Sequence, residues 1–394
     1  MTEECKITMN TGLRGVTVAS TRVSDVDGDA GKLIYRGYLV KDLAENASFE
    51  EVVFLLLYER MPNLQELASF KKALVSEMPI PREIIAALKT RPRDSLPMDI
   101  LQAGVAMLAN HDPDIRIEGE REATLRMGIR LIAKMPTLLA AWSRICTGQD
   151  AVPPSRDLGH AANFLYMMTG RVPDDEITGF FDACLVLHAE HSFNASTFAA
   201  REVASTRAHM YAAVGAAVGS LSGALHGGAN TRVMQMLKVI DSVDNIDAYI
   251  EKQLTGGGLI MGLGHAVYKV DDPRALILAP MSKKMGERIG EVKWYEISRR
   301  LEEKAKAAFK RRKNMDIYVN VDFYSASLYY AMGIAMDLFT PVFAISRIAG
   351  WATHVLEEQY ADAAPKPMLY RPESEYIGDY CGPAECAWEP IERR

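Results

Sequence analysis

The sequence predicts an all-α fold with a minor N-terminal β-hairpin. Strand-like alternation is confined to residues 16–36, on either side of a turn at 27–31 rich in Asp and Gly. No internal repeat or low-complexity tract interrupts the rest of the chain. Elsewhere apolar residues recur at the spacing of amphipathic helices, in segments near 64–77, 81–89, 98–110, 120–147 and 157–169.

Two helix ends can be predicted from local signals. Ser48 followed three residues later by Glu51 is a capping-box pattern, and it precedes a run of apolar residues. Near the C-terminus, Thr340 is the predicted N-cap and Pro341 the predicted first residue of a helix that runs to about Glu358. Both signals favour helices that bury their apolar side chains.

Residues 193–222 are rich in Ala and Gly at helical spacing. Small side chains let helices approach closely, so this segment predicts a helix in the core or at a subunit interface. The longest uncharged stretch, 210–225, is shorter than the roughly 20 apolar residues that a membrane-spanning helix needs. No secretory signal is visible at the N-terminus. We therefore expect a cytoplasmic protein without a membrane partner.

The overall composition narrows the class of protein further. A chain of 394 residues can bury a large core and predicts two or three domains. The formal net charge of −6 makes a nucleic-acid partner unexpected. The number of cysteines is odd, which predicts free thiols in a reducing compartment and no disulfide framework. These cysteines are Cys5, Cys146, Cys184, Cys381 and Cys386.

Three glycine-marked turns interrupt the helical pattern, and each contains a residue that could act in catalysis. His226 in the first turn precedes a predicted helix through Thr231 to Ile240. A helix N-terminus disfavours a nearby positive charge, so the ring should be neutral and able to polarise a carbonyl group. The structural alternative is a histidine that is only hydrogen-bonded within a turn.

His265 in the second turn follows Gly264 and precedes Lys269 and Arg274. Glycines let backbone N–H groups approach a ligand, and the two cations could bind phosphate or carboxylate groups. The spacing of the glycines differs from that of a phosphate-binding P-loop. The turn therefore indicates an anion site of another kind, or a purely structural loop.

Asp322 in the third turn lies among apolar and aromatic residues. Partial removal of a carboxylate from water raises its basicity, which suits a general base that removes a proton from carbon. The alternative interpretation is that Asp322 is the N-cap of a helix beginning near Phe323.

The other histidines and arginines indicate a site for a small polycarboxylate. His188 and His191 could form a metal pair, but the His-Glu-x-x-His pattern is missing, so a substrate-binding role is favoured and no metal is predicted. Arg347 lies on the apolar face of its predicted helix, where an arginine requires an anionic partner. Arg371 lies in a predicted loop before a proline. Arginines can bind carboxylates through two parallel hydrogen bonds.

Taken together, five ordered motifs resemble those of the citrate synthase family, and the resemblance covers nearly the whole chain. They lie at residues 225–230, 264–274, 320–325, 346–351 and 370–372. The resemblance implies a large helical domain of residues 1–227 and 334–394, with a small helical domain, 228–333, inserted in it. It also implies a homo-oligomer, at least a dimer, with a hexamer as the alternative size.

The resemblance further implies an acyltransferase that joins acetyl-CoA to oxaloacetate and needs neither a metal nor another cofactor. Asp322 would remove a proton from the acetyl group, neutral His226 would stabilise the enolate, and His265 would protonate the new alkoxide. The implied substrate-binding residues are His191, Arg274, Arg347 and Arg371, the last reaching into the partner subunit's site. The implied contacts with CoA are Lys269, Gly262, Gly264 and Asn320.

Two alternatives remain open at this point. A 2-methylcitrate synthase would use the same residues on propionyl-CoA, and one extra methylene in a pocket is worth only about 1–3 kcal/mol. The run of residues 322–327 resembles citrate synthases more closely, so citrate is favoured. A catalytically silent helical scaffold is the alternative from another class of protein.

Overall fold

The computed structural model describes residues 11–13, 15–265, 267–378 and 388–393. Two cysteines within these ranges, Cys146 and Cys184, are free thiols, and Cys184 is buried. Cys5, Cys381 and Cys386 lie outside the described residues, so the prediction for them is not tested. Among the helices of the described ranges, none is long and apolar enough to cross a membrane.

The predicted hairpin is present and forms part of a small antiparallel sheet. Its strands are β1 (Ser24–Asp27), β2 (Lys32–Tyr35) and β3 (Tyr38–Leu39), in the order β1-β2-β3, with Ser24 opposite Tyr35. The side chain of Asp27 accepts hydrogen bonds from the backbone N–H groups of Asp29 and Ala30, which shapes the β1–β2 turn. Residues 16–23 form no strand, although their side chains alternate.

The first half of the chain is helical, as predicted. Ser48 and Glu51 form the expected capping box, in which each side chain bonds the other residue's backbone N–H. The helices of this half are α1 (Val40–Asn46), α2 (Phe49–Tyr58), α3 (Leu64–Glu77), α4 (Arg82–Lys89), α5 (Pro97–Ala109), α6 (Arg121–Cys146), α7 (His160–Thr169) and α8 (Asp175–His188).

The second half is also helical, but the segment rich in small residues forms two helices, since His209 caps a new helix there. The helices of this half are α9 (Ala195–Ser205), α10 (Met210–Ser222), α11 (Ala229–Ile240), α12 (Ile246–Gly256), α13 (Pro273–Ile289), α14 (Lys293–Lys313), α15 (Val321–Ala331) and α16 (Phe339–Tyr360).

The predicted start of α16 is wrong by two residues. A 3-10 turn at Met336–Leu338 leads directly into the helix, so Leu338 is the N-cap in place of Thr340. Pro341 therefore lies within the first turn. A proline is tolerated there because the first N–H groups of a helix have no intrahelical partner.

Helix α16 is the centre of the core, and it packs against α6, α8, α9 and α10. Nearly all of its residues are buried, including Trp351 and Arg347. A helix that is enclosed on all sides is a rigid platform for any functional side chain it presents. Helices α11, α13, α14 and α15 pack mainly among themselves, within the predicted small domain, whose boundaries stay a prediction.

Candidate active site

A cavity of about 710 Å³ opens where the loops before α9, α11, α13 and α15 meet α16. Most of the residues singled out from the sequence line it, although they are far apart along the chain. They are His191, His226, Gly264, His265, Arg274, Asn320, Asp322 and Arg347. Histidines, a carboxylate and arginines around one cavity can bind an anionic substrate and move protons within it.

Three of the predicted residues do not line this cavity. Lys269 is exposed and forms an ion pair with Asp29, at 2.7 Å. Arg371 is exposed on the C-terminal segment. Gly262 is buried with a φ of +80°, and a side chain there would meet Phe323 at 2.6 Å. Their suggested roles in binding CoA or a partner's substrate remain predictions.

The loop that contains His265 is joined to the start of α15 by two hydrogen bonds from Asn320. The N–H of Asn320 donates to the carbonyl of Gly262 at 2.9 Å, and its side-chain amide donates to the carbonyl of Gly264 at 3.1 Å. Gly264 has a φ of +92°, which disfavours a residue with a side chain. These bonds hold His265 and Asp322 in a fixed relation across the cavity.

The hydrogen bonds of His226 determine which of its ring nitrogens carries the proton. Nε2 accepts the backbone N–H of Ser196 at 3.1 Å and lies 2.8 Å from the hydroxyl of the same residue. A backbone N–H can only donate, so the proton of the neutral ring is on Nδ1. Burial, assisted by the charge of Arg347, lowers the pKa of His226 to about 4. The ring is therefore a neutral Nδ1–H donor, and burial is the main cause of its neutrality.

His265 is held in the opposite tautomer. Its Nδ1 accepts the backbone N–H groups of Val267 at 2.9 Å and Tyr268 at 3.0 Å. The proton of the neutral ring must then be on Nε2. Burial, and next the charge of Arg274, lower the pKa of His265 to about 4. Both histidines can thus donate a hydrogen bond to a carbonyl oxygen at neutral pH.

Asp322 lies in the first turn of α15, and the N-cap is Asn320, whose side chain accepts the N–H of Asp322 at 3.1 Å. The alternative interpretation of Asp322 as an N-cap is therefore wrong, because the helix starts two residues earlier than expected. Within the described part of the chain, no hydrogen bond is made to its carboxylate oxygens. Burial raises the pKa of Asp322 to about 6. A carboxylate of this basicity can act as a general base.

Two of the three arginines that line the cavity, Arg274 and Arg347, differ in their partners. Arg274 forms a two-point ion pair with Asp272, at 3.0 and 2.7 Å, which fixes its guanidinium. Arg347 donates from Nε to the carbonyl of His188 at 2.7 Å and lies over the ring of Phe343. Among the described residues, no carboxylate lies within ion-pair distance of Arg347. A buried arginine with free N–H donors is suited to an incoming carboxylate.

The two neighbouring histidines have different surroundings. His191 lines the cavity, with Nε2 at 3.3 Å from the hydroxyl of Tyr268 and its ring 5.6 Å from that of His265. His188 is fully buried outside the lining and pairs with the hydroxyl of Tyr329 at 3.1 Å. In the described ranges, no group of three or more His, Cys, Asp or Glu residues could hold a metal ion.

Sequence reasoning missed the residues that orient the catalytic candidates. Ser196 and Asp272 are buried, and they hold His226 and Arg274 in place. Ser196 also accepts a hydrogen bond from Trp351 Nε1 at 3.2 Å. The turn before Pro273 was the available signal for Asp272, whereas no sequence pattern marks a buried serine such as Ser196. Arg232, which donates to the carbonyl of Gly227, also lines the cavity.

The pKa of Asp322 predicts the pH dependence of catalysis. A base with a pKa of about 6 is protonated and inactive below that pH, whereas both histidines stay neutral down to about pH 4. We expect kcat/KM to fall about tenfold per pH unit below pH 6, with one proton taken up. Initial rates between pH 5 and 9 measure this limb. A rate that stays flat down to pH 5 would contradict the assignment of Asp322.

Known proteins are similar to this chain in sequence and in fold. The family described as citrate synthase, C-terminal domain, matches residues 12–373. A citrate synthase of Haloferax volcanii is 44% identical over 387 residues, which are 97% of this chain and 98% of that protein. A 2-methylcitrate synthase of Shewanella oneidensis is 37% identical over 380 residues, 96% of this chain and 97% of that protein.

A solved structure is similar as well. The ternary complex of carboxymethyl coenzyme A and oxaloacetate with citrate synthase from Thermoplasma acidophilum has a TM-score of 0.89. It is 30% identical in sequence and covers 98% of this chain and 100% of that one. The fold and site thus define an all-α acyltransferase. The chain belongs to the citrate synthase family, and the prediction made from its motifs is confirmed.

Proposed function

We propose that this chain condenses acetyl-CoA with oxaloacetate and hydrolyses the resulting thioester to citrate and free CoA. The observation that supports this most directly is the pairing of two neutral histidine donors with one basic carboxylate around a single cavity. This combination is sufficient for a condensation between two carbonyl compounds. One donor activates the thioester, the other activates the ketone, and the carboxylate removes the proton from carbon.

In the first step, the carboxylate of Asp322 takes a proton from the methyl group of acetyl-CoA. The electron pair left on carbon is shared with the thioester oxygen, where Nδ1–H of His226 donates a hydrogen bond. A preorganised donor of this kind in a buried site stabilises the developing enolate at little reorganisation cost. Both groups are anchored near helix starts, Asp322 in the first turn of α15 and His226 by the backbone N–H of Ser196 in the first turn of α9.

In the second step, the enolate carbon attacks the ketone carbon of oxaloacetate, and a carbon–carbon bond forms. The ketone oxygen becomes an alkoxide, which takes the proton from Nε2 of His265. The two carboxylates of oxaloacetate would contact Arg347, Arg274 and His191. Water then adds to the thioester carbon and the carbon–sulfur bond breaks, and the sulfur takes one proton of that water and leaves as the free CoA thiol. The proton held by Asp322 returns by way of solvent to Nε2 of His265, and the new carboxylic acid loses its proton to solvent, so both residues are restored. In this sequence no step calls for a metal or another cofactor.

Three further features belong to the proposal. CoA would lie against Gly264 and Asn320, with Lys269 and Gly262 as additional contacts. The chain would form a homo-oligomer, at least a dimer, in which Arg371 reaches into the partner subunit's site. Arg371 is exposed on the surface of this chain, which leaves it available for contact with the partner subunit's site. We place the enzyme in the cytoplasm at the entry step of the tricarboxylic acid cycle.

The acyl-CoA preference separates citrate from 2-methylcitrate synthesis. We expect kcat/KM to be at least about tenfold higher with acetyl-CoA than with propionyl-CoA, in line with what one methylene can discriminate. The protein would be mixed with oxaloacetate and either thioester, and the released thiol would be followed. A preference for propionyl-CoA would move the assignment to 2-methylcitrate. Absence of thiol release with both would instead favour the scaffold interpretation.

A further inference from the structure

The β1–β2 turn lies directly against the loop that contains His265, although more than two hundred residues separate them in sequence. The backbone N–H of Lys269 donates to the carbonyl of Gly28 at 2.8 Å. A side chain at Gly28 would place its Cβ 2.2 Å from the carbonyl oxygen of Val267. Gly28 has no positive φ, so the contact, and not backbone conformation, requires glycine there.

A second contact also joins the β1–β2 turn to this loop. A Cβ at Gly31 would lie 2.6 Å from Cγ2 of Val270. On its other side the loop is fastened to the strand-like segment before α15, where Asp271 Oδ1 accepts the N–H of Val319 at 3.0 Å. The N–H of Asp272 donates to the carbonyl of Val319, also at 3.0 Å. The loop is therefore held between the hairpin turn and the start of α15.

The loop residues next to the hairpin turn, Val267 and Tyr268, also determine the tautomer of His265. The N–H groups of Val267 and Tyr268 both donate to Nδ1 of that ring, at 2.9 and 3.0 Å. The carbonyl oxygen of Val267 lies close to Gly28, and the N–H of Val267 donates to Nδ1 of His265. Any shift of this residue away from the turn moves a donor away from the ring.

We propose that the β1–β2 turn is a positioning element of the active site, and that Gly28 keeps the Val267 and Tyr268 amides on His265 so that only its Nε2 donates. The catalytic consequence rests on the proposed function, because it assumes that Nε2–H protonates the alkoxide. The geometric part does not depend on it. Gly28 acts through the loop and touches no reacting atom.

The test compares Gly28→Ala with Gly179→Ala in the full chain. Gly179 is exposed on α8, has no positive φ, and a Cβ there meets no atom within 4 Å. Alanine at Gly28 must move Val267 and the turn apart by about 1 Å, and a misplacement of that size can lower the rate about 100-fold. We expect kcat/KM for oxaloacetate to fall by that factor in Gly28→Ala and to stay within twofold in the control.

The tautomer of His265 provides a readout that a general loss of stability would not change. In protein labelled with ¹⁵N-histidine, the wild type and Gly179→Ala should show Nε2 protonated and Nδ1 unprotonated, with the signals assigned through a His265→Gln variant. Gly28→Ala should show a mixture of tautomers. This readout needs no activity, so an inactive wild type would refute the proposed function without affecting the positioning test.

Three outcomes would overturn the proposal. One is a folded Gly28→Ala protein with the wild-type His265 signals, and another is an unchanged kcat/KM. If Gly28→Ala does not fold, Val270→Ala loosens the second contact between the turn and the loop, the one with Gly31, without a clash. It should lower kcat/KM several-fold with partial loss of the single tautomer. A Val270→Ala protein identical to the wild type in both readouts is the third.

The exposed ion pair of Lys269 with Asp29 should contribute little, so Asp29→Asn should change neither readout.

Discussion

Replacing Asp322 with Asn is expected to lower kcat about 10³- to 10⁴-fold, at the upper end of what a positioned general base contributes. The amide has nearly the same shape as the carboxylate but cannot accept the proton from the acyl group. Asn320 remains the N-cap of α15, so the helix and the cavity should be preserved. Thiol release at saturating substrates measures the loss.

The stability of the same variant gives an independent check with a defined sign. Burial raises the pKa of Asp322 from 3.8 to about 6, so ionising it in the folded state costs about 3 kcal/mol. This cost is fully present above pH 6 and disappears as the pH falls below 3.8. Asp322→Asn should therefore be more stable than the wild type at pH 8, by up to that amount, but by only about 0.5 kcal/mol near pH 4, where the unfolded carboxyl is partly protonated. Urea unfolding at the two pH values measures the difference.

A matched control is available on the segment just before α15. Asp316 is exposed, and its carboxylate pairs with Lys310 at 2.9 Å on the surface. Asp316→Asn should leave kcat unchanged and alter stability by well under 1 kcal/mol. An Asp322→Asn protein with more than a tenth of wild-type kcat would rule out the proposed base.

Replacing Arg347 with Met is expected to raise the KM for oxaloacetate about 10³-fold. The guanidinium is buried in α16 with no carboxylate partner in the described part of the chain, so its free N–H groups are available to the substrate. Two charge-assisted hydrogen bonds to one carboxylate are worth about 4 kcal/mol, which corresponds to this factor. Initial rates against oxaloacetate concentration, at saturating acetyl-CoA, measure the change.

The stability of Arg347→Met should change far less than its substrate binding. Methionine loses the bond to the carbonyl of His188, at a cost of about 1 kcal/mol, but it also removes a buried charge. Burial already lowers the pKa of Arg347 to about 10, which reflects that desolvation. Arg347→Lys retains the charge without the two-point geometry and should raise KM by about ten- to a hundredfold. Equal KM values for Met and wild type would exclude Arg347 from the carboxylate site.

The helices were predictable because their signals are local. The apolar spacing near residues 64–77 and the capping box at Ser48 and Glu51 depend only on neighbours within a turn or two, and both were confirmed. The errors arose where two local signals compete. At α16, a 3-10 turn before the helix made Leu338 the cap in place of Thr340, and at α15 the preceding Asn320 displaced Asp322 from that role.

The residue types at the site could also be predicted, but not the state in which each is held. The order of the motifs identified His226, His265 and Asp322, whereas their tautomers and basicity depend on partners that are distant in sequence. Ser196 orients His226 from thirty residues away. Gly28 contacts the loop of His265, although more than two hundred residues separate them in the sequence. No local pattern marks such contacts, because they arise only when helices pack.

The buried charges behind the site illustrate the same limit. Glu190 lies between two histidines in the sequence, and its residue type alone predicts a surface position. It is fully buried instead. Its Oε1 accepts a hydrogen bond from the hydroxyl of Ser24 and lies 2.9 Å from Nε2 of His354. Gly350 makes room for it, since a Cβ there would be 2.1 Å from Glu190 Oε2.

By itself, the sequence determined the all-α class, the hairpin, most helix spans and the family, since these depend on periodicity, caps and ordered motifs. Only the tertiary structure decided that His226 donates from Nδ1 and His265 from Nε2, and that Asp322 is not a cap but a buried carboxylate of raised pKa. The physical reason is that protonation and hydrogen-bond direction depend on burial and on the few donors within about 3 Å, which chain folding brings together from distant segments.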